Sequence, residues 1–479
     1  MINITQNKNQ YQVKQNVLNF KKPAFGKIIQ SDTKDRPIVM VTDAWWPHIC
    51  GPTKATSAIA STLAKKGYNV QVIAQQGKFS EDFSHKSEKA ESPHHPDGFR
   101  GITSKKIYGK NLKVCIGPFN EKRMRNMLAE SNPSAVYCAT EGPLGWYTKW
   151  SLNPEQTKIS YMTSYLTSWP EYAEDNTKFW INKNLKRIGL DSNKLTEKIP
   201  EGAKDFVSRA LKKFHAAAPK VMVTTKTLKQ DLTAKGIDEE KITIIPRGTH
   251  IDSYKPDLKD ENFKFVDSAN PEKNVSGKDG QLIIGYVGRV SPEKNIEELL
   301  KLSNEKDKRI NKGNYKVVVV GPPSSDEYMK DLRKKYPEAI FTGPKKEDLP
   351  EHYANMDIFA FPSLTDTFGI VLLEAMASGV PIAAHNVPGP ADVLDREIIG
   401  DETVGHLEND LGEAIAKTAW DLEERPDEIR QNCVNCVTEN YTWDKVADKF
   451  VDTLDMIDEK ALQETLGVNP ARKDLGKIA

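Results

Sequence analysis

Two carboxylates, Asp366 and Glu374, are separated by seven residues in FPSLTDTFGIVLLEAMASGVPIAAH, where an apolar run breaks into a turn and then resumes. IFAFPS has the make-up of a short buried strand and LTDTFG that of a loop. IVLLEAMASG reads as a helix that Gly379 ends before Val380 and Pro381 lead into another strand. Asp366 therefore precedes the helix and Glu374 lies inside it, so both acids address one side of whatever the helix faces, at different depths. Between them lie the backbone N–H groups of Thr367, Phe368 and Gly369, at a helix N-terminus where unpaired amides favour electron-rich groups. Taken alone, the same residues also fit an N-cap and a solvated helix acid.

Upstream, YVGRVSPEKNIEELL puts Arg289 just after a strand and Lys294 at the start of the next helix. Two fixed cations at a strand end suit a diphosphate, and they can neutralise a departing nucleoside diphosphate without a metal. Their plain alternative is a pair of surface ion-pair partners. In DAWWPHICGPTKATSAIASTLAKKG, Gly51 sits between a strand ending at Asp43 and a helix beginning near Thr53. Glycine there lets an anion approach the backbone, or simply makes the turn. His48, in the same loop, reads as a solvated histidine.

These residues need elements to hold them. PIVMVTDAW, NVQVIAQ, LKVCIG, AVYCAT, KISYMTS, VMVTT and ITIIPRG recur from Pro37 onward with helical stretches between them, which predicts parallel α/β layering. The polar, turn-rich run 255–281 interrupts the series and reads as a linker with an insertion. LIIGYVGRV, YKVVVVGPP, AIFTG, IFAFPS, PIAAH and VGHLE then make a second series. The expected organisation is a flexible extension over 1–35, a first domain over 36–254, the linker, and a second domain over 282–438. A helix over 439–458 returns to the first domain, and a tail follows over 459–479. Ligands of open parallel sheets bind at the carboxyl ends of strands, where every residue named above lies.

Lys+Arg 68 against Asp+Glu 67 leaves a formal charge of +1, so no basic field argues for a nucleic-acid partner. Five cysteines in a chain of 479 residues do not make a disulfide scaffold and fit a reducing cytoplasm. No apolar stretch approaches the roughly 18 residues needed to span a bilayer. CVNC, Cys433 to Cys436, has redox spacing but no second pair and reads as helix surface; the pair His94 and His95 has no partners for a metal site. Lys178 to His215 interleaves Lys and Arg with Phe, Trp, Ile and Leu, a face for an anionic membrane surface or else an ordinary solvated helical pair or a lid.

Together, PSLTDTFGIVLLEAMASGVPIAA, YVGRVSPEKN, VVVVGPP, FTGPKKEDLPEHYANMDIFAFPS, PGPADVL, ATEGPLGWYTKW and SWPEY resemble the retaining glycosyltransferases of family four over about Arg36 to Leu454. The hallmark of that family is two glutamates separated by seven residues, the first being Asp366 here. The resemblance implies the GT-B fold, two Rossmann-like doubly wound domains facing a central cleft. It implies that Arg289 and Lys294 bind a donor diphosphate and Glu374 the ribose. Asp366 with Thr367, Phe368 and Gly369 would hold the transferred sugar, Gly51 would lie under the phosphate, and the base would sit near Gly321, Pro322, Pro344 and Lys345. The implied activity is metal-independent transfer of a hexose from a UDP- or GDP-sugar to an acceptor hydroxyl, a membrane lipid being one such acceptor, with no cofactor beyond the donor. Relatives often carry histidine where this chain has Leu166, which keeps open a nucleotide-sugar-binding protein with little or no transferase activity. An epimerase or phosphorylase on the same architecture is a further alternative.

Overall fold

The computed structural model describes residues 36–43, 51–76, 100–103, 105–108, 112–114, 119–153, 161–166, 195–455 and 465–466. In chain order the first strands are β1 (Ile38–Thr42), β2 (Val70–Gln76), β3 (Arg100–Thr103), β4 (Lys105–Tyr108), β5 (Leu112–Val114), β6 (Ala135–Cys138), β7 (Met162–Tyr165), β8 (Lys220–Val223) and β9 (Ile242–Ile244). After them come β10 (Lys264–Val266), β11 (Asn274–Ser276), β12 (Leu282–Val287), β13 (Tyr315–Val320), β14 (Ile340–Gly343), β15 (Ile358–Phe361), β16 (Ile382–His385) and β17 (Gly405–Glu408).

Two parallel sheets organise the chain. The first runs β3-β2-β1-β6-β7-β8-β9 and the second β14-β13-β12-β15-β16-β17. Each order starts in the middle and reverses direction, which opens a crevice at the carboxyl ends of the central strands. Both faces of each sheet are covered, and this explains why the strands read as continuous apolar runs rather than alternating ones. Val39 and Val41 of β1 pack into one core while Ile38 and Met40 pack into another on the opposite face. Ile283 and Val287 of β12 are separated from Ile284 and Tyr286 in the same way.

The run 255–281, expected as a linker, is folded onto the second sheet. Antiparallel β10 and β11 form a hairpin whose Phe265 and Val275 are buried in that sheet's core. Asp267, with no exposed surface, anchors it: its carboxylate accepts from the Phe341 amide at 3.0 Å and pairs with Arg333 at 2.5 Å. Burial works against this charge, but the Phe341 and Ala269 amides and Arg333 outweigh it and hold the carboxyl below its usual range. One buried apolar residue per short strand and a single buried acid leave almost no periodic signal, which is why the segment reads as a linker.

At the far end the helix Trp443–Thr453 packs Val446, Phe450 and Val451 against Ile38, Met40 and Tyr137 of the first sheet, the Phe450 and Tyr137 rings meeting edge-on at 4.9 Å. The Thr249 amide donates to the Tyr441 carbonyl at 2.8 Å, so the two strands of chain that join the domains run side by side. Within the region expected as a tail, Leu466 is buried in the first core. The basic segment is only partly described: residues 178–194 lie outside the described residues, and the helix Leu195–Ala216 buries Leu211, Phe214 and His215 while Phe206 is exposed. Among the described residues no helix is long and apolar enough to cross a membrane.

Candidate active site

A cleft of about 390 Å³ lies between the carboxyl ends of the two sheets. From the first sheet it takes Gly51 and Pro52 after β1, Leu166 after β7 and Arg247 after β9. From the second it takes Tyr286 to Arg289 at the end of β12, Lys294, Phe361 at the end of β15, and every residue from Asp366 to Val371. Gly51, Arg289, Lys294, Asp366, Thr367, Phe368 and Gly369, scattered over more than 300 residues of sequence, thus line one cavity.

Local structure sets each of these side chains. Lys294 closes a single turn, Pro292–Lys294, and Asn295 then takes a left-handed conformation with φ 51°. The Asn295 side-chain amide donates to the Pro362 carbonyl at 3.2 Å, tying this turn to the end of β15. Lys294 Nζ consequently lies 2.5 Å from Asp366 Oδ1. Arg289 pairs with Glu293 at 3.0 Å, and its carbonyl accepts from the Tyr286 hydroxyl at 3.1 Å. Burial raises the Tyr286 pKa, and the Asp366 and Glu293 charges add to it, so this phenol remains a donor.

Two glycines let backbone approach backbone under the site. Gly321 has φ +146°, and a Cβ there would run into the Gly288 carbonyl at the rim of the cleft. Gly389 has φ +92°, and a Cβ there would run into the Asp366 carbonyl. The loop after β16 thereby supports the loop that carries Asp366.

Glu374, Gly321 and Lys345 do not line this cavity. Glu374 sits behind it, in the helix Ile370–Ala377, and accepts from the Tyr353 hydroxyl at 2.7 Å. Burial raises its pKa, against the Lys54 charge from the first domain and the Tyr353 hydrogen bond. Gly321 follows β13 and donates its amide to the Gly343 carbonyl at 3.0 Å, while Lys345 follows β14 and pairs with Asp348 at 3.1 Å. The structure therefore separates the expected residues into a cleft group, Gly321 and Lys345 in the loops after β13 and β14, and Glu374 inside the helix.

Arg247 escaped the sequence reading, although IIPRGTH puts it just past a strand in the same relation that singled out Arg289. It is 6% exposed. Cys433 and Cys436 are not on a helix surface: both are buried in the core of the second domain, and burial pushes the Cys436 thiol up to about 12 and that of Cys433 well above its ordinary value. His48, His94 and His95 lie outside the described residues. Among the described residues no group of three or more His, Cys, Asp or Glu side chains is placed to hold a metal. A second depression of about 380 Å³, flanked by Leu282, Asp357, Trp420 and Arg430, opens at the opposite strand ends and contains none of the expected residues.

The arrangement can hold a dianion beside Arg289 and Lys294 with a carboxylate next to it, in a cleft walled by residues of both domains. Comparison with known proteins agrees with that chemistry. Residues 51–253 match the model of the Glycosyltransferase Family 4 family, and residues 268–435 match that of Glycosyl transferases group 1. An uncharacterized glycosyltransferase of Methanocaldococcus jannaschii is 27% identical over 237 residues, 48% of this chain and 58% of that protein, so the chain matches little more than half of its length. A GDP-mannose-dependent alpha-mannosyltransferase of Mycobacterium tuberculosis is 24% identical over 382 residues, 79% of this chain and 87% of that one. Among solved structures, Anabaena HepE in complex with UDP superposes with a TM-score of 0.60 at 15% identity, covering 87% of this chain and 99% of that one, a likeness of fold.

Proposed function

We propose, for a chain that belongs to the family-four glycosyltransferases (glycosyl transferases group 1) and has the GT-B fold, that it transfers a hexose from a UDP- or GDP-linked sugar to an acceptor hydroxyl with retention at the anomeric carbon. The observation that carries this reading is the contact of Lys294 with Asp366, beside Arg289, in the cleft between the sheets. The two cations would take the donor diphosphate and Asp366 the hydroxyls of the sugar. Glu374, behind the cavity, would reach the ribose and Gly51 the phosphate, with the base near Gly321 and Lys345.

Retention by double displacement needs a nucleophilic carboxylate and a separate acid. Among the described residues lining the cleft, Asp366 is the one acid, and it is engaged by Lys294. This favours front-side displacement. The bond from the anomeric carbon to the diphosphate oxygen breaks with its electron pair going to that oxygen. The acceptor oxygen bonds on the same face, and its proton passes to the departing phosphate. Arg289 and Lys294 stabilise the charge that develops there, and Asp366 stabilises the positive character of the sugar. Closure of the cleft excludes water that would hydrolyse the donor.

One observation favours the second reading, a nucleotide-sugar-binding protein: Leu166, 6% exposed, puts an apolar side chain on the acceptor wall. The two are separated by incubating the chain with UDP-, GDP- and ADP-sugars, with and without lipid vesicles, and scoring nucleotide release. Transferase function predicts release that Arg289→Ala and Glu374→Ala abolish, and a preference for vesicles identifies a lipid acceptor. Binding without release makes the chain a binding protein, and no binding of any donor defeats both readings.

A further inference from the structure

We propose that Arg247 is a catalytic residue, the cation by which the first domain's wall holds the leaving diphosphate; this rests on the transferase reading above. On the second domain's wall the cations are Arg289, 3.0 Å from Glu293, and Lys294, 2.5 Å from Asp366. Cleavage adds to the charge the cleft must hold, because the electron pair of the breaking bond converts a diphosphate diester into a terminal phosphate with further negative charge. The acceptor proton neutralises it only as far as it has been transferred. Among the described residues that line the cleft, the first sheet contributes one charged side chain, Arg247.

The fold fixes the backbone on both sides of this residue. The Ile245 amide donates to the Val223 carbonyl at 2.8 Å, carrying the chain one step past β9. Gly248 then lies against Trp443 so closely that a Cβ would stand 2.8 Å from the indole ring and 2.9 Å from the Trp443 amide nitrogen. The Thr249 amide is held by the Tyr441 carbonyl. Arg247 is thus fixed on either side, is 6% exposed, and lies near enough to Tyr137 for its charge to favour ionisation of that phenol. A guanidinium held there presents a planar fork of N–H donors, the geometry that matches phosphate oxygens. Because it comes from the domain opposite Arg289 and Lys294, cleft closure would complete the set of three cations around the leaving group. Preorganised charge of this kind, aimed where charge develops, is the largest contribution in many enzymes.

The test compares nucleoside diphosphates with monophosphates, since only the former place a terminal phosphate at the breaking bond. Calorimetry of the full chain with UDP, UMP, GDP and GMP is repeated for Arg247→Met and Arg247→Lys. In Arg247→Met the diphosphate should bind about 10-fold or more weakly while the monophosphate is unchanged, and donor turnover should fall at saturating donor. Arg247→Lys should recover part of both. Equal weakening of diphosphate and monophosphate, as misfolding would cause, overturns the assignment. So does an unchanged ratio, including the case in which turnover falls only for acceptors that carry a phosphate. If the unaltered chain binds none of the four, the transferase reading itself has failed, and this inference with it.

Discussion

Replacement of Gly389 by alanine tests whether the loop after β16 sets the position of Asp366. Gly389 has φ 92° and ψ −81°, a region that residues with a Cβ avoid at a cost of about 1–3 kcal/mol. An added Cβ would overlap the Asp366 carbonyl oxygen, with the carbonyl carbon at 3.3 Å and the Phe368 amide nitrogen at 3.5 Å. Relief to an ordinary C···O separation of about 3.3 Å moves one of the two loops by on the order of 1 Å. The Asp366 loop begins two residues past a buried Phe361 and ends in the helix Ile370–Ala377, so the displacement falls on Asp366 and Thr367. A misplacement of about 1 Å costs about 100-fold in rate where orientation is the catalytic device. Gly389→Ala should therefore lower kcat for donor turnover by about 10- to 100-fold. UDP or GDP affinity, assigned in the proposed function to Arg289, Lys294 and Glu374, should change less than about threefold, and Tm should fall by several degrees. Nucleotide release with calorimetry in parallel reads both. An unchanged kcat, or a loss of nucleotide affinity as large as the loss of rate, would refute the proposed coupling.

The remaining expectations concern charge. Burial raises the Glu374 pKa, so its ionisation opposes folding: stability is greatest below the unfolded carboxylate value and falls as pH rises through the folded one. Glu374→Gln should accordingly raise Tm at pH 8 by more than at pH 4 while weakening nucleotide binding, and a Tm gain that is independent of pH would contradict this. His385 is held above its usual pKa by Glu298, whose carboxylate lies 2.9 Å away, so their pairing stabilises the fold below about pH 6.5 and is lost as pH rises through the raised value. Melting curves of His385→Asn should show a larger deficit at pH 6 than at pH 9. Lys226 of the first domain meets Asp395 at 2.7 Å and Glu397 at 2.5 Å, and the Thr227 amide meets Asp392 at 3.1 Å. Half-exposed pairs such as these contribute about 0–1 kcal/mol, so Lys226→Ala should leave Tm nearly unchanged. Its effect should appear instead as a small rise in donor KM that 0.5 M salt reproduces in the unaltered chain.

The succession of apolar runs and the turn residues between them carry the two parallel sheets, because strands covered on both faces must be apolar along their whole length. The same rule locates Arg289, Lys294 and Asp366, since each stands in the segment between the carboxyl end of a strand and the next helix. Such information is local, and it is present in the sequence without any knowledge of partners. What the sequence does not contain is distance between residues far apart in the chain. Only the tertiary structure brings Gly51 and Arg247 across from the residues of the second domain, moves Glu374 behind the cavity onto Tyr353, and buries Cys433 and Cys436. It also turns 255–281 from a polar stretch into a hairpin, since the buried Asp267 is tolerable only once Arg333 and the Phe341 amide surround it. Periodicity records which face of an element is apolar. The compensation of a buried charge or the meeting of two loops depends on groups supplied by other elements, and those are chosen by packing.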